Sequence, residues 1–343
     1  MLSRWAAVMC LAILLALSLS CEKAERTGAV GTISDASDVR IVYIPKNTGN
    51  PYFEPMIDGF RKAAEEHGAK FDTVAPATAD ATSQIPLIKD QIQRGVHVLA
   101  LSPNSPDALN QVLREAMSKG IIVLAVDSDL NNNEQFRHAG VLPTDPEEVG
   151  RNQIELVGSM IDYKGEIAIL SATTDAPNQN TWIKWMREAL KDPKYQQMQL
   201  VDVVYGNDEP QKSLTEAEAL LTKYPNLRGI IAPTTVGIAA AAQVVETAKK
   251  ADQVKVTGLG TPNQMRRFIK NGTVEKFALW SPYDEGYVAG HLGILLATGQ
   301  VESTPGTTFS AGELGERTIQ EKNVVIAGPP FVFTEENIDE FQF

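Results

Sequence analysis

VRIVYIPKNTGNPYF, residues 39–53, starts as a strand and ends as a binding loop. Val39, Ile41 and Tyr43 alternate within a β-branched run, the pattern of a buried strand. Pro45, Gly49 and Pro51 then break the chain, and Tyr52 and Phe53 open a helix. In an open parallel sheet, ligands bind just beyond the carboxyl ends of the strands. This strand end carries one cation (Lys46), two amides (Asn47, Asn50) and two aromatic faces (Tyr52, Phe53). Those groups suit holding a small polyhydroxylated molecule rather than breaking one.

The same unit recurs downstream. Residues 53–68 put Phe53, Met56, Ile57, Phe60, Ala63 and Ala64 on one helical face, with Gly68 as the stop. Strands are expected at 71–75, 96–102, 121–127 and 138–142. Helices are expected at 83–95, with Pro86 in its first turns, and from the cap Ser105 to Gly120. Runs such as IIVLAVD suit strands covered on both faces. Asp145, followed by Pro146, caps the next helix, and there the chain should cross into a second lobe. The programme then restarts, with strands at 165–171, 198–206, 228–233, 255–260, 276–282 and 323–328. Helices are expected at 182–190, 214–223, 236–249 and 285–298, and residues 174–182 read as a polar loop. The expected fold is α/β, two doubly wound parallel-sheet lobes joined by a hinge, with a ligand cleft between them. Residues 39–142 and 281–308 form the N-terminal lobe in this reading, and 143–280 and 309–343 the C-terminal lobe. Crossings fall near Leu142, near Trp280 and near the start of the tail.

Residues 1–20 read as an export signal, with Arg4 ahead of an apolar run from Trp5 to Leu19. That run is shorter than a membrane span of ~20 residues, and no other stretch is apolar enough to cross. Cys21 follows Leu17-Ser18-Leu19-Ser20, which resembles the bacterial lipobox except at Ser18. Lipidation of Cys21 would anchor the chain to the membrane; ordinary cleavage into a free soluble protein is the alternative. Residues 21–38 then serve as a tether, and the expected location is the periplasm or cell surface. The other cysteine, Cys10, leaves with the signal, so no disulfide or cysteine metal site is expected in the folded lobes.

The 343 residues exceed one ordinary core, which argues for two domains. A formal charge of −12 disfavours nucleic acid as a partner. His67, His97, His138 and His291 are scattered without metal spacing, and no GxSxG, P-loop or zincin motif occurs. No catalytic residue, metal or cofactor is expected, and the chain should be a monomer. A glycosidase would need two carboxylates at a separation that sequence does not supply.

Five further strand ends offer binding groups. Asp127 in AVDSD reads either as a loop carboxylate or as a bidentate acceptor for two hydroxyls. Asn178, Gln179 and Asn180 are amides that donate and accept, one of them a candidate helix cap, and Trp182 follows two residues on. Pro233, Thr234 and Thr235 close RGIIAP, the threonines serving as caps or as cleft hydroxyls. Leu259 sits among glycines too few for a nucleotide loop. Trp280 is a stacking platform, and Asp284 either touches a hydroxyl or caps the next helix.

Taken in order, Ile44-Pro45-Lys46, Asn50-Pro51-Tyr52-Phe53, Val126-Asp127-Ser128-Asp129 and the amides at 178–180 resemble the type I periplasmic sugar-binding proteins of ABC importers, the ribose-binding-like group. The likeness runs from Val39 to Phe343. Within that group Asn178–Trp182, Ile231–Ile238, Val256–Gly260 and Phe277–Trp280 resemble rhamnose-binding proteins, with autoinducer-2-binding proteins near them. The resemblance places Lys46, Asp127, Gln179, Pro233 and Thr235 where autoinducer-2 proteins contact their ligand. Asn178 replaces an aspartate of those proteins and Thr235 an alanine. Asn50 and Phe53 stand where ribose binders use an amide and a ring, but amides at 178–180 and Gly260 replace their arginine and aspartate. The resemblance thus implies a sugar receptor, with L-rhamnose as its ligand and a membrane permease as its partner, and with an autoinducer-2 or other sugar receptor as the alternative. A repressor of the same fold would carry a DNA-binding headpiece where this chain has an export signal.

Overall fold

The computed structural model describes residues 33–343. The expected signal, Cys21 and most of the expected tether lie outside that range. Residues 33–38 are no free tether. Asp35 accepts a hydrogen bond from Ser37 N at 2.9 Å and caps a 3-10 turn over Ala36–Asp38. Ile33, ahead of that turn, and Ala36, which opens it, both pack on the core.

The first lobe is built from β1 (Arg40–Ile44), α1 (Phe53–His67), β2 (Lys70–Thr73), α2 (Ile85–Arg94), β3 (Val98–Leu101), α3 (Asn110–Ser118), β4 (Ile122–Val126) and β5 (Ala139–Leu142). Alternation along β1 sends Ile41 and Tyr43 to one face with Phe53, Met56 and Phe60. Val42 and Ile44 go to the other, with Ile88, Leu113 and Val112. The sheet is thus buried on both sides, as its apolar runs require. Expected and observed starts differ at α3. Ser105 Oγ accepts from the N–H groups of Asp107 and Ala108, so it closes a turn, and the helix begins five residues later at Asn110.

Asp145 accepts from Glu147 N and Glu148 N and starts α4 (Pro146–Met160), which belongs to the second lobe. There follow β6 (Lys164–Ser171), α5 (Pro177–Ala189), β7 (Gln197–Tyr205), α6 (Pro210–Lys223), β8 (Leu227–Ala232), α7 (Thr235–Thr247), β9 (Lys255–Gly258), α8 (Pro262–Lys270) and β10 (Phe277–Leu279). Residues 177–182 are helical, not a loop. Pro177 has the φ a first helical residue needs, so the amides fall in the first turn of α5. The second sheet runs β7-β6-β8-β9, and a bridge from Leu259 to Ala278 extends it towards β10.

The chain returns to the first lobe in α9 (Pro282–Ala297), which packs along α1. A Cβ at Gly286 would lie 2.1 Å from the carbonyl oxygen of Met56, and one at Gly59 2.1 Å from that of Tyr283. Only glycine lets the two backbones touch. The tail corrects the expected division. After the hairpin β11 (Thr308–Ser310) and β12 (Glu316–Thr318), β13 (Val324–Ile326) pairs parallel with β5 in the first sheet, not the second. Hydrogen bonds from a buried guanidinium hold it there. Arg137 grips Asp129 with two nitrogens and donates to the carbonyls of Lys322 and Asn323, drawing the tail to β5. The third crossing therefore comes after β13, and β14 (Phe331–Phe333) pairs antiparallel with β10. The first sheet has the order β13-β5-β4-β3-β1-β2. In both sheets the strand order reverses beside the first strand, at β1 and at β6. The crevice beyond those strand ends is where such sheets bind ligands.

Candidate functional site

The two crevices face each other across a small, partly open cavity lined by both lobes. Its first-lobe wall is Lys46, Asn50, Tyr52 and Phe53 after β1, and Asp127 after β4. Its second-lobe wall is Asn178, Gln179 and Trp182 from α5, Asp208 after β7, Pro233, Thr234 and Thr235 after β8, and Leu259 after β9. Leu279 and Trp280 line it at the hinge crossing.

The lobes are closed on each other by hydrogen bonds. Lys46 Nζ donates to Ser128 Oγ at 3.2 Å and, across the cleft, to Asn178 Oδ1 at 2.9 Å. It stands 3.9 Å from Asp127 Oδ2. Asn178 Nδ2 donates back to Asp127 at 3.2 Å. Thr235 Oγ1 donates to Asn50 Oδ1 at 2.7 Å, and Asn131 Nδ2 donates to Pro177 O and Thr181 Oγ1. Among the described residues Asn50 Nδ2 and Gln179 Nε2 have no partner in the chain, while their carbonyl oxygens are taken. The cavity wall thus offers unused amide donors beside carboxylate acceptors, a match for hydroxyls that both accept and donate. Tyr52 and Trp280 meet edge to face at 6.4 Å, and Trp182 and Trp280 lie 5.7 Å apart, giving the cavity an aromatic side for C–H surfaces.

Beneath Asp127 runs a buried relay. Trp280 Nε1 donates to Tyr52 OH at 2.7 Å, and Tyr52 OH donates to Glu285 Oε2 at 3.0 Å. Glu285 Oε1 accepts from Asp127 N at 2.7 Å. Glu285 therefore fixes the backbone of Asp127, whose φ of 65° is left-handed. Burial pushes the carboxyls of Asp127 and Asp208 up and that of Glu285 well up, the last helped by the charge of Asp127. Burial also lowers the Lys46 ammonium, against the pull of Asp127.

The shifts of Asp127, Asp208 and Lys46 grow on closure, since these groups line the cleft and an open cleft would solvate them, whereas Glu285 lies beneath it. The sign follows from linkage. Asp127 and Asp208 hold protons more tightly when closed, so they favour closure at low pH, and that contribution is lost as pH rises through their raised values. Lys46, depressed, works the other way and only towards alkaline pH. The sugar-free protein should therefore close more as pH falls from neutrality towards the ordinary carboxylate range. Tryptophan fluorescence and solution scattering will read it; closure that grows with rising pH over that window contradicts the assignment.

Eleven of the sequence-derived candidates line the cavity: Lys46, Asn50, Phe53, Asp127, Asn178, Gln179, Trp182, Pro233, Thr235, Leu259 and Trp280. Two do not. Asn180 is exposed and donates to Thr174 O at 2.8 Å. Asp284 is away from the cavity and donates its own N–H to Ser281 Oγ, so the serine is the cap of α9. No amide caps α5, and Thr234 caps nothing with its side chain; its hydroxyl donates to Asp208. Asp208, Glu285 and Leu279 escaped the sequence reading. The GND turn that closes β7 was a strand end like the others, and that was the available signal for Asp208. The histidines are less scattered than their numbering suggests: His67 Nε2 and His291 Nδ1 are 2.9 Å apart. Among the described residues no group of three or more His, Cys, Asp or Glu could hold a metal.

Residues 41–300 match the periplasmic binding protein domain family. The chain belongs to that family. A sugar ABC transporter structure from Actinomyces odontolyticus is 40% identical over 90% of this chain and 99% of that one, with a TM-score of 0.72. An ABC transporter solute-binding protein from Clostridium phytofermentas, with L-rhamnose bound, is 34% identical over 89% of this chain and 98% of that one, with a TM-score of 0.85. The D-ribose/D-allose-binding protein of Pseudomonas aeruginosa is 29% identical over 246 residues, 68% of this chain and 75% of the relative. This periplasmic binding protein is thus a sugar-binding component of an ABC importer, acting outside the cytoplasm. Among the described residues no helix is long and apolar enough to cross a membrane.

Proposed function

We propose that the protein binds one molecule of L-rhamnose between its lobes and presents it to the importer's permease. The observation that carries this reading is the 34% identity, over nearly the whole lobe pair, with a solute-binding protein that holds L-rhamnose. The cavity agrees with it. Its lining is polar on both lobes and aromatic at the hinge, as a sugar ring with hydroxyls and C–H surfaces requires. Lys46, Asp127, Asn50, Asn178 and Gln179 suit the ring hydroxyls. Phe53, Leu259 and Leu279 supply an apolar wall for the methyl group of a deoxysugar. The autoinducer-2 reading is disfavoured at Asn178: an aspartate there would set a second carboxylate where the amide now donates to Asp127. The same proposal takes the chain as a monomer, anchored through Cys21, that returns its ligand unchanged.

Calorimetry against a panel of hexoses, pentoses and deoxyhexoses tests it. The expected result is one site per chain, with L-rhamnose the tightest. No heat and no melting shift with any member removes the sugar assignment, and a tighter pentose or hexose replaces rhamnose.

A further inference from the structure

Asp208 lies three residues past the end of β7 and two ahead of α6, in a GND turn where Asn207 and Asp208 both take left-handed backbone, with φ of 58° and 55°. That turn puts a carboxylate against the second-lobe wall of the cavity, where it is 6% exposed. Oδ1 accepts the hydroxyl of Thr234, and Oδ2 has no hydrogen-bond partner among the described residues. Lys46 reaches it only through its charge: its hydrogen bonds go to Ser128 and Asn178, and its nearest carboxylate is Asp127. A buried carboxylate with one hydroxyl partner is unfavourable, and burial indeed pushes its carboxyl up. A donor arriving with the ligand removes that penalty.

We infer that Asp208 is a specificity-determining residue, whose Oδ2 accepts a hydrogen bond from a sugar hydroxyl on the second-lobe side and selects ligands that carry a hydroxyl there. The inference rests on the sugar reading above. It adds an acceptor opposite the Lys46–Asp127 end, so that the ring is gripped from both lobes. A site built to bond a hydroxyl discriminates against an analogue lacking it, because its own buried polar group is then left unpaired.

The test is calorimetry of the full chain and of Asp208→Asn with L-rhamnose and its 2-, 3- and 4-deoxy analogues. The unaltered chain should bind one analogue at least ~10-fold more weakly than the parent, as expected for loss of a charge-assisted hydrogen bond. Asp208→Asn should bind L-rhamnose about 10- to 100-fold more weakly while binding that one analogue as the unaltered chain does. Equal weakening for every ligand, or no weakening, overturns the inference and leaves Asp208 a support for Thr234. Asp208→Glu keeps the charge but moves the oxygens. If Asp208→Asn fails to fold, an unchanged ranking of the analogues by Asp208→Glu is the overturning result, and an altered ranking the supporting one. If the unaltered chain binds another sugar of the panel instead of L-rhamnose, the rhamnose assignment alone fails, and the same comparison is made with that sugar and its deoxy analogues. If it binds none, both fall.

Discussion

Lys46→Met is expected to bind the sugar about a hundredfold or more less tightly, yet to melt at nearly the same temperature without sugar. The ammonium sits 3.9 Å from Asp127 Oδ2, 2.9 Å from Asn178 Oδ1 and 3.2 Å from Ser128 Oγ, all buried or nearly so in the closed cleft. Methionine fills similar volume but leaves Asp127 without its counter-charge and removes the donor to Asn178. Removing one member of a buried pair costs about 3–5 kcal/mol, which is more than two decades in affinity. The cost falls on closure, because water solvates Asp127 when the lobes part. Calorimetry and a sugar-free melt separate the two effects. An affinity within threefold of the unaltered chain would show that Lys46 neither closes the cleft nor touches the sugar.

Arg137→Leu should act on the fold. The guanidinium of Arg137 is almost wholly buried, pairs through two nitrogens with Asp129, and donates to Lys322 O at 3.0 Å. Leucine strands a buried carboxylate and loosens β13 from β5. The expected cost is about 3–5 kcal/mol, a melting point lower by on the order of 10 °C for a chain of this size. Adding Asp129→Asn should return much of it, since the unpaired charge then disappears. A single variant that melts within two degrees of the unaltered protein, or a double variant no better than the single, would refute this account.

The fold was legible because its signals are local. Alternation in β1, the glycine stops after α1 and α2, and the Asp145-Pro146 start of α4 each lie within a few residues. The site was legible only to the extent that it sits at strand ends. Asn178 to Asn180 looked like three equivalent amides, but in the first turn of α5 each residue is rotated by about 100° from the last. Asn178 therefore faces Lys46, Gln179 turns back to Ser171 and Ala172, and Asn180 faces solvent. The same rotation separates Asp284 from Glu285. Both stand in the first turn of α9, but Asp284 is on the face away from the cleft, and its neighbour Glu285 supports Asp127. The expected tail division failed for another reason. Nothing near Val324 says which sheet it joins; that choice is made by Arg137, 187 positions earlier in the chain.

By itself the sequence determined two α/β lobes and most of the polar and aromatic strand ends that could meet in a cleft, because hydrophobic period, caps and turns act over short distances. The tertiary structure alone decided which side chains share that cleft, which lobe owns the tail, and that three buried acids surround one lysine. Those outcomes depend on burial and on contacts between residues far apart in the chain, and desolvation is a property of the closed pair of lobes that no single stretch encodes.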